Sequence, residues 1–170
     1  ARNYQLTIST PRNLAGRSMI IINFKEEKMT PIWKQTATPE QLTSLCEGTA
    51  VAHLGVIFTE IGVSDITAEL TVDTRTKQPF GVLHGGVSAA LAETVANAGA
   101  LLLCEPNQIA VGMELNISHL KSIKEGEKAI ARAFPLKVGR EVQVWQIETK
   151  DEQGNLCAIS RLSVKVLDKR

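Results

Sequence analysis

A single acidic residue interrupts the longest apolar segment of the chain. Between Gly85 and Cys104 the only charged side chain is Glu93. Burying a carboxylate is costly unless it is paired or has a function, and burial makes a carboxylate a stronger base. We therefore predict that Glu93 acts as a base in a chemical reaction. The alternative is a structural carboxylate that forms an ion pair with a buried Arg or Lys.

The residues just before this segment bear on the same chemistry. His84, Gly85 and Gly86 end a polar loop and open the predicted helix. The first N–H groups of a helix have no partner within the helix, and they lie at the positive end of its dipole. Because glycine has no side chain, the Gly85 N–H can approach a substrate carbonyl closely and stabilise the negative charge that develops there. The alternative is a helix-entry turn in which His84 only caps the helix.

Hydrophobic periodicity predicts the elements around this long helix, which spans about 85–104. A short amphipathic helix begins after Thr38, with Pro39 at its first position and Gly48 near its end. Two strands follow, "GVIFTEIG" and "DITAELTVD", around a turn at 62–65. Four more strand-like segments come after the long helix: "QIAVGMELNISHLK", "EKAIARAFPLKV", "EVQVWQIETKD" and "LCAISRLSVKVLD". One helix cannot cover both faces of six strands. We therefore predict an α+β fold in which an antiparallel sheet of about six strands wraps round the central helix.

Composition excludes several functional classes. The 170 residues include 19 Lys and Arg and 18 Asp and Glu, so no strong charge favours nucleic acid or an anionic membrane. The three cysteines, Cys46, Cys104 and Cys157, are far apart and lack metal-ligand spacing, which favours a reducing cytoplasm and neither a disulfide framework nor a zinc site. A membrane-spanning helix is disfavoured, because a central acid such as Glu93 costs about 2.5–3.5 kcal/mol on insertion.

The first residues differ in composition from the rest of the chain. They contain three arginines and no acid before Glu26. Their only apolar run, at 19–24, is too short for the core of a signal peptide. We predict that residues 1–29 form an N-terminal arm of unknown role and that residues 30–170 form the folded domain.

Several longer motifs occur in order between Pro31 and about Leu167, and together they resemble one family. They include "VDTRTKQPFGVLHGG", "ALAET", "VGMELNISHLK", "LKVGREVQVWQIE" and "DEQGNLCAISRL". The chain resembles the hot-dog-fold acyl-CoA thioesterases. Within that family it is most similar to the enterobactin-pathway proofreading thioesterases and the 1,4-dihydroxy-2-naphthoyl-CoA hydrolases. The resemblance implies hydrolysis of an acyl thioester, of CoA or of a carrier protein, to a free acid and a thiol, and it favours aromatic acyl groups such as hydroxybenzoyl.

The resemblance also implies roles for residues near the helix N-terminus. Glu93 attacks the thioester or activates the water that does, and the residues alone do not separate these two roles. The Gly85 N–H polarises the carbonyl with help from Gln78, and His84 helps to hold the thioester. Asn97 stands one turn after Glu93, where relatives carry a small hydroxyl residue that orients the water. An amide can also donate and accept hydrogen bonds, so this departure leaves the role open.

The binding side of the site follows from the same resemblance. His119 lines the acyl pocket, with a solvent-facing or core histidine as the alternative. Lys121, Ser122, Lys124 and Arg140 are candidates for binding the CoA phosphates, with an ordinary solvated rim as the alternative. The resemblance gives no metal or redox cofactor a place. It implies a homo-oligomer, a dimer or a dimer of dimers, in which the active site lies at the dimer interface.

Three other functions remain open from the sequence. A hot-dog dehydratase or hydratase is disfavoured, because the chain lacks both the H-F-P-G signature and the D-x-N-x-H pattern of those enzymes. A non-catalytic acyl-CoA-binding module would keep the fold and bind ligand without hydrolysing it. A structural protein with a fortuitous His-Gly-Gly is the third.

Overall fold

A computed structural model of the chain describes residues 3–12, 18, 20–27 and 30–169. The chain divides into two compact units, Ala1–Pro31 and Ile32–Arg170. In the first unit, strands β1 (Asn3–Ser9) and β2 (Ile21–Glu27) pair antiparallel. The sequence did not predict these strands. Part of the predicted arm (residues 1, 2, 13–17, 19, 28 and 29) lies outside the described residues.

The second unit contains three helices and six strands. The helices are α1 (Pro39–Leu45), α2 (Ala50–His53) and α3 (Gly85–Leu102). The strands are β3 (Ile57–Ile61), β4 (Ile66–Thr71), β5 (Gln108–His119), β6 (Lys128–Val138), β7 (Val142–Lys150) and β8 (Leu156–Asp168). They form one sheet in the order β3-β4-β6-β7-β8-β5, antiparallel throughout, and α3 packs against it. The predicted α+β hot-dog fold is confirmed.

Local sequence signals explain the short helices. The Thr38 hydroxyl accepts a hydrogen bond from the Gln41 N–H, and the Gln41 side chain accepts one from the Thr38 N–H, which completes a capping box before α1. Pro39 occupies the first helical position, as predicted. Helix α2 has only four residues, begins after Thr49 as its N-cap, and was not predicted.

The core lies between α3 and the sheet. In β4, apolar residues alternate with polar ones, and the apolar Ile66, Ala68 and Leu70 are almost fully buried, while Thr67 between them is buried as well. Trp145 of β7 is also buried, and its ring lies so close to α3 that a Cβ atom added at Gly99 would be 2.7 Å from Trp145 Cη2. A glycine at position 99 therefore lets the helix approach the sheet closely.

Helix α3 is not buried on all sides within one chain. Leu91 and Val95 are fully buried against the sheet, but Glu93 is exposed. The sheet of a single chain covers one face of the helix and leaves the face that carries Glu93 open. None of the helices found in the described residues combines the length and the hydropathy that a membrane crossing requires.

Candidate functional site

The N-terminus of α3 leaves one N–H group available. The Nδ1 atom of His84 accepts a hydrogen bond from the Gly86 N–H at 2.9 Å. The His84 carbonyl accepts the N–H groups of Val87 and Ser88 at 2.9 and 3.0 Å. Among the described residues, the Gly85 N–H has no acceptor. The cap thus satisfies the neighbouring donors and leaves Gly85 free to donate to another group.

A tight turn fixes Gln78 near this N–H. The Gly81 N–H donates to the Gln78 carbonyl at 3.0 Å, and the Gln78 N–H donates to the Val82 carbonyl at 2.8 Å. Gly81 has a φ of 72°, a conformation that glycine adopts without strain. The backbone of Gln78 is therefore held on both sides, and the residue is half-buried. Phe80, at the tip of the turn, is 86% exposed.

A cavity of about 380 Å³ brings together five of the ten residues that the sequence singled out. These five are Gln78, Gly85, His119, Lys121 and Ser122. Three elements supply them: the turn before α3, the first residue of α3, and the segment that begins at the end of β5. Gly85 and His119 are in close contact, because a Cβ atom added at Gly85 would lie 3.1 Å from His119 Nε2. The absence of a side chain at 85 thus makes room for the imidazole.

Lys121 at the cavity rim is held by a carboxylate. Its Nζ donates to Asp151 Oδ2 at 2.6 Å, and the Asp151 side chain is only 2% exposed. The Lys121 hydrogen bond, with further donors from Asn155, holds the pKa of Asp151 well below its usual range. The same hydrogen bond raises the pKa of Lys121. A phosphate that binds Lys121 must therefore share this cation with Asp151.

Two further candidates for phosphate binding do not line the cavity. Lys124 lies next to the cavity and forms an antiparallel bridge with Val82. Its backbone N–H donates a hydrogen bond to Glu127 Oε2 at 2.9 Å. Arg140 lies in the turn between β6 and β7, with a side chain that is 91% exposed. Thr149, which lines the cavity, is seven residues further along β7 than Val142, or about 23 Å at strand spacing. Within one chain, Arg140 is thus far from the other candidates.

Glu93 and Asn97 form a separate group on the open face of α3. Both lie against Gly112 of β5: a Cβ atom added there would be 2.6 Å from Glu93 Oε1 and 3.3 Å from Asn97 Nδ2. Glu93 comes eight residues after Gly85, which is about 12 Å along the helix axis. Asn97 Oδ1 is buried and has no hydrogen-bond partner among the described residues. The expectation that Glu93 is buried is wrong for the single chain, because its contact with β5 at Gly112 leaves most of the side chain exposed.

The cavity also contains residues that sequence reasoning missed. Ser88 of α3, Thr149 of β7 and Cys157 of β8 line it, and all three are buried. The Thr149 hydroxyl has no partner among the described residues. Burial raises the pKa of the Cys157 thiol. Ser88 follows Gly85 by three residues, on the same helix face, and this spacing was the one signal in the sequence that could have identified it.

Comparison with known proteins identifies the family of the chain. A family model described as the thioesterase superfamily matches residues 80–158, a range that contains all of α3, β5, β6 and β7. A solved thioesterase from Haemophilus influenzae is 46% identical in sequence, with a TM-score of 0.79, and the match covers 81% of this chain and 95% of that one. A solved thioesterase from Pseudomonas aeruginosa, a Gln-to-Ala variant, is 33% identical with a TM-score of 0.78, and the match covers 81% of this chain and 99% of that one. With this fold, and with 46% identity over most of both chains, the chain belongs to the thioesterase superfamily.

Proposed function

We propose that the protein hydrolyses an acyl thioester of CoA, or of a carrier protein, to a free acid and a thiol. The observation that carries the proposal is the Gly85 N–H, which has no acceptor among the described residues and belongs to a residue that lines the cavity. A thioester oxygen placed against this N–H would gain a hydrogen bond as negative charge develops on it. Gln78 and His119 line the same cavity and can hold the rest of the thioester group.

Glu93 supplies the second part of the proposed chemistry. As a general base, its carboxylate takes a proton from water while the water oxygen attacks the thioester carbon. As a nucleophile, the carboxylate attacks that carbon itself, and water then hydrolyses the resulting anhydride. In both cases the C–S bond breaks and the thiolate leaves with the bonding electrons, to be protonated to the thiol. Asn97, beside Glu93 and with an unpartnered amide oxygen, is the proposed partner of the water.

The two parts of the site lie too far apart in one chain, so we propose that two copies share each site. Gly85 and Glu93 are separated by about 12 Å along α3, and Glu93 is exposed. Strand β5 is one of the two outer strands of the sheet and is 12 residues long, and an open edge of this kind pairs readily with a second chain. Met113 and Phe80 are 58% and 86% exposed, which favours an interface here. The proposed unit is a homodimer, assembled further into a dimer of dimers. His84 and Gln78 of one copy then face Glu93 of the other.

The proposed substrates are aromatic acyl thioesters in the cytoplasm, such as hydroxybenzoyl-CoA or 1,4-dihydroxy-2-naphthoyl-CoA. This choice depends on the resemblance of the sequence motifs around Gln78 and Gly85 to thioesterases that act on aromatic acyl groups. Thiol release is measured with a panel of aryl-CoA, fatty acyl-CoA and acyl-carrier-protein substrates. We expect the largest kcat/KM with an aryl-CoA. Binding of acyl-CoA without release of thiol from any substrate would favour a non-catalytic binding module instead.

Complementation tests the shared site. Glu93→Ala and Gln78→Ala are each expected to be inactive as pure oligomers. When the two variants are dissociated, mixed and reassembled, the mixed dimers contain one site with both residues intact. We expect partial recovery of thiol release in proportion to the fraction of mixed dimers. The control is the same procedure with each variant alone, and mixed dimers without recovered activity would exclude a shared site.

The proposal assigns this chemistry to residues 30–170 and gives residues 1–29 no part in it. The candidate residues lie between Gln78 and Arg140, inside the second compact unit. A chain that begins at residue 30 is expected to keep the kcat/KM and the Tm of the full chain. A change in oligomeric size or a clear loss of Tm would show that the arm belongs to the fold.

A further inference from the structure

Strand β5 meets the open face of α3 at a glycine. A Cβ atom added at Gly112 would lie 2.6 Å from Glu93 Oε1, 3.5 Å from Glu93 Cδ and 3.3 Å from Asn97 Nδ2. Non-bonded heavy atoms pack best at about 3.5 Å or more. The Glu93 carboxylate therefore occupies the space that any other residue type at 112 would fill with its first side-chain atom.

The backbone does not require glycine at this position. The described glycines with a positive φ are five others (Gly48, Gly55, Gly81, Gly126 and Gly154), so the conformation at 112 is open to any residue. A glycine inside a strand is less favourable than alanine, because it loses more conformational freedom on folding. The glycine thus has no local structural advantage, and the space it leaves for Glu93 is the feature that distinguishes it.

The strand is also irregular at this point. The pairing of β5 with β8 passes from Gly112 opposite Val164 to Glu114 opposite Ser163, so Met113 is an extra residue in a β-bulge. A bulge bends the strand and changes the direction of its side chains. Here it directly follows the residue on which the Glu93 carboxylate rests.

We propose that Gly112 is a positioning residue for the Glu93 carboxylate. The proposal rests on the proposed function, in which Glu93 acts on the thioester or on the attacking water. A methyl group at 112 pushes the carboxylate about 1 Å away from its position to reach normal contact. A displacement of about 1 Å can lower the rate of a reaction about 10²-fold. Gly112 touches no reacting atom and acts mainly through Glu93, because the added Cβ atom would lie 2.6 Å from Glu93 Oε1 and 3.3 Å from Asn97 Nδ2.

The test is a double-mutant cycle with Gly112→Ala and Glu93→Asp. Aspartate is shorter by one methylene, about 1.5 Å, so it leaves room for the added methyl group. We expect each single variant to lose at least tenfold in kcat, with KM within about threefold for Gly112→Ala. The double variant should be at least tenfold more active than the product of the two single effects predicts. A residue that served only the fold would give no such rescue by a shorter acid.

Stability separates this proposal from a packing effect. Gly112→Ala is expected to unfold at the same denaturant concentration as the parent or a higher one, because alanine suits a strand better than glycine. Ser9→Thr is the matched control, since it adds one methyl group at an exposed position of β1, outside the proposed site, and should keep kcat within twofold. Gly112→Ser is a second test substitution, because its Cβ atom would also lie against Glu93 Oε1. All variants are compared at the oligomeric size of the parent.

The outcomes distinguish this proposal from the proposed function. If Glu93→Gln is inactive but Gly112→Ala keeps kcat within twofold of the parent, the positioning role is excluded and the role of Glu93 stands. The positioning role is also excluded if the losses in kcat of Gly112→Ala and Glu93→Asp simply multiply in the double variant. If Glu93→Gln keeps the parent's kcat, both proposals are overturned together.

Discussion

Two carboxylates near the candidate site have opposite surroundings. Asp151, in the turn between β7 and β8, is buried and accepts hydrogen bonds from Lys121 and from the backbone of Gln153 and Asn155. Glu93, in the middle of α3, is exposed and has no ion-pair partner among the described residues. The comparison indicates that Asp151 stabilises the fold, whereas Glu93 is available for chemistry.

The contacts of each acid give the physical reason. The Asp151 oxygens receive five hydrogen bonds, two of them from the Asn155 side chain, and this number leaves little capacity for a substrate. The Glu93 carboxylate lies on the bare backbone of Gly112, where its oxygens remain open. The structural alternative for Glu93, a buried ion pair with Arg or Lys, therefore finds no support in the described residues.

The largest effect is expected from Glu93→Gln. The substitution keeps the shape of the side chain and removes the base, so kcat should fall about 10²-fold or more, or by about 2.7 kcal/mol of barrier. Since Glu93 is exposed and unpaired, the free energy of unfolding should change by less than about 0.5 kcal/mol. Steady-state thiol release and urea unfolding measure the two quantities.

Binding of a CoA product analogue is the control for Glu93→Gln, and its Kd should stay close to that of the parent. A variant with normal kcat would contradict the assignment of Glu93 to chemistry. A variant that loses several kcal/mol of unfolding free energy would instead place Glu93 in the same structural class as Asp151.

Asp151→Asn is expected to have a smaller effect, and on stability rather than on kcat. The loss of stability is small because Lys121 is 48% exposed and solvent screens the ion pair. The pKa of Asp151 is lowered in the fold, so its stabilisation is present above the unfolded pKa of about 3.9 and is lost as the pH falls below it. The variant should have a lower Tm than the parent at pH 7. The difference in Tm between the variant and the parent should narrow below about pH 4. Thermal unfolding of both proteins between pH 3 and 7 measures this difference. A constant difference over that range would exclude the ion pair as its cause.

The sequence was sufficient to predict the fold because its main elements have clear periodicity. The β4 pattern predicted a strand with Ile66, Ala68 and Leu70 on its buried face, and these residues are buried. Strands β1 and β2 were not predicted, because polar residues interrupt the apolar positions of that region. Helix α2 was not predicted, because four residues are too few to show a period.

The candidate site was less predictable, because it depends on contacts between distant parts of the chain. The grouping of Gln78, Gly85 and His119 came from family resemblance, since no spacing in the sequence brings them together. The exposure of Glu93 depends on which face of α3 the sheet covers, and the distance of Arg140 depends on the strand order. Gly112 did carry a signal, because a glycine inside a strand often marks a bulge or a close approach.

The smallest effect is expected from Asn97→Ser, which tests how the open face of α3 uses its second polar group. Serine introduces the hydroxyl that the family resemblance implies at this position and leaves the Glu93 carboxylate in place. Rotation of the Asn97 amide exchanges its oxygen and nitrogen, so the parent can present either a donor or an acceptor. We expect kcat to change less than tenfold in either direction, which corresponds to less than about 1.4 kcal/mol in the barrier.

Asn97→Leu is the matched variant, since it keeps the side-chain size without hydrogen bonding, and its kcat should be clearly below that of Asn97→Ser. Equal kcat values for the two variants would exclude a role for Asn97 in orienting water and would leave Glu93 as the one polar group of this face that acts in the reaction.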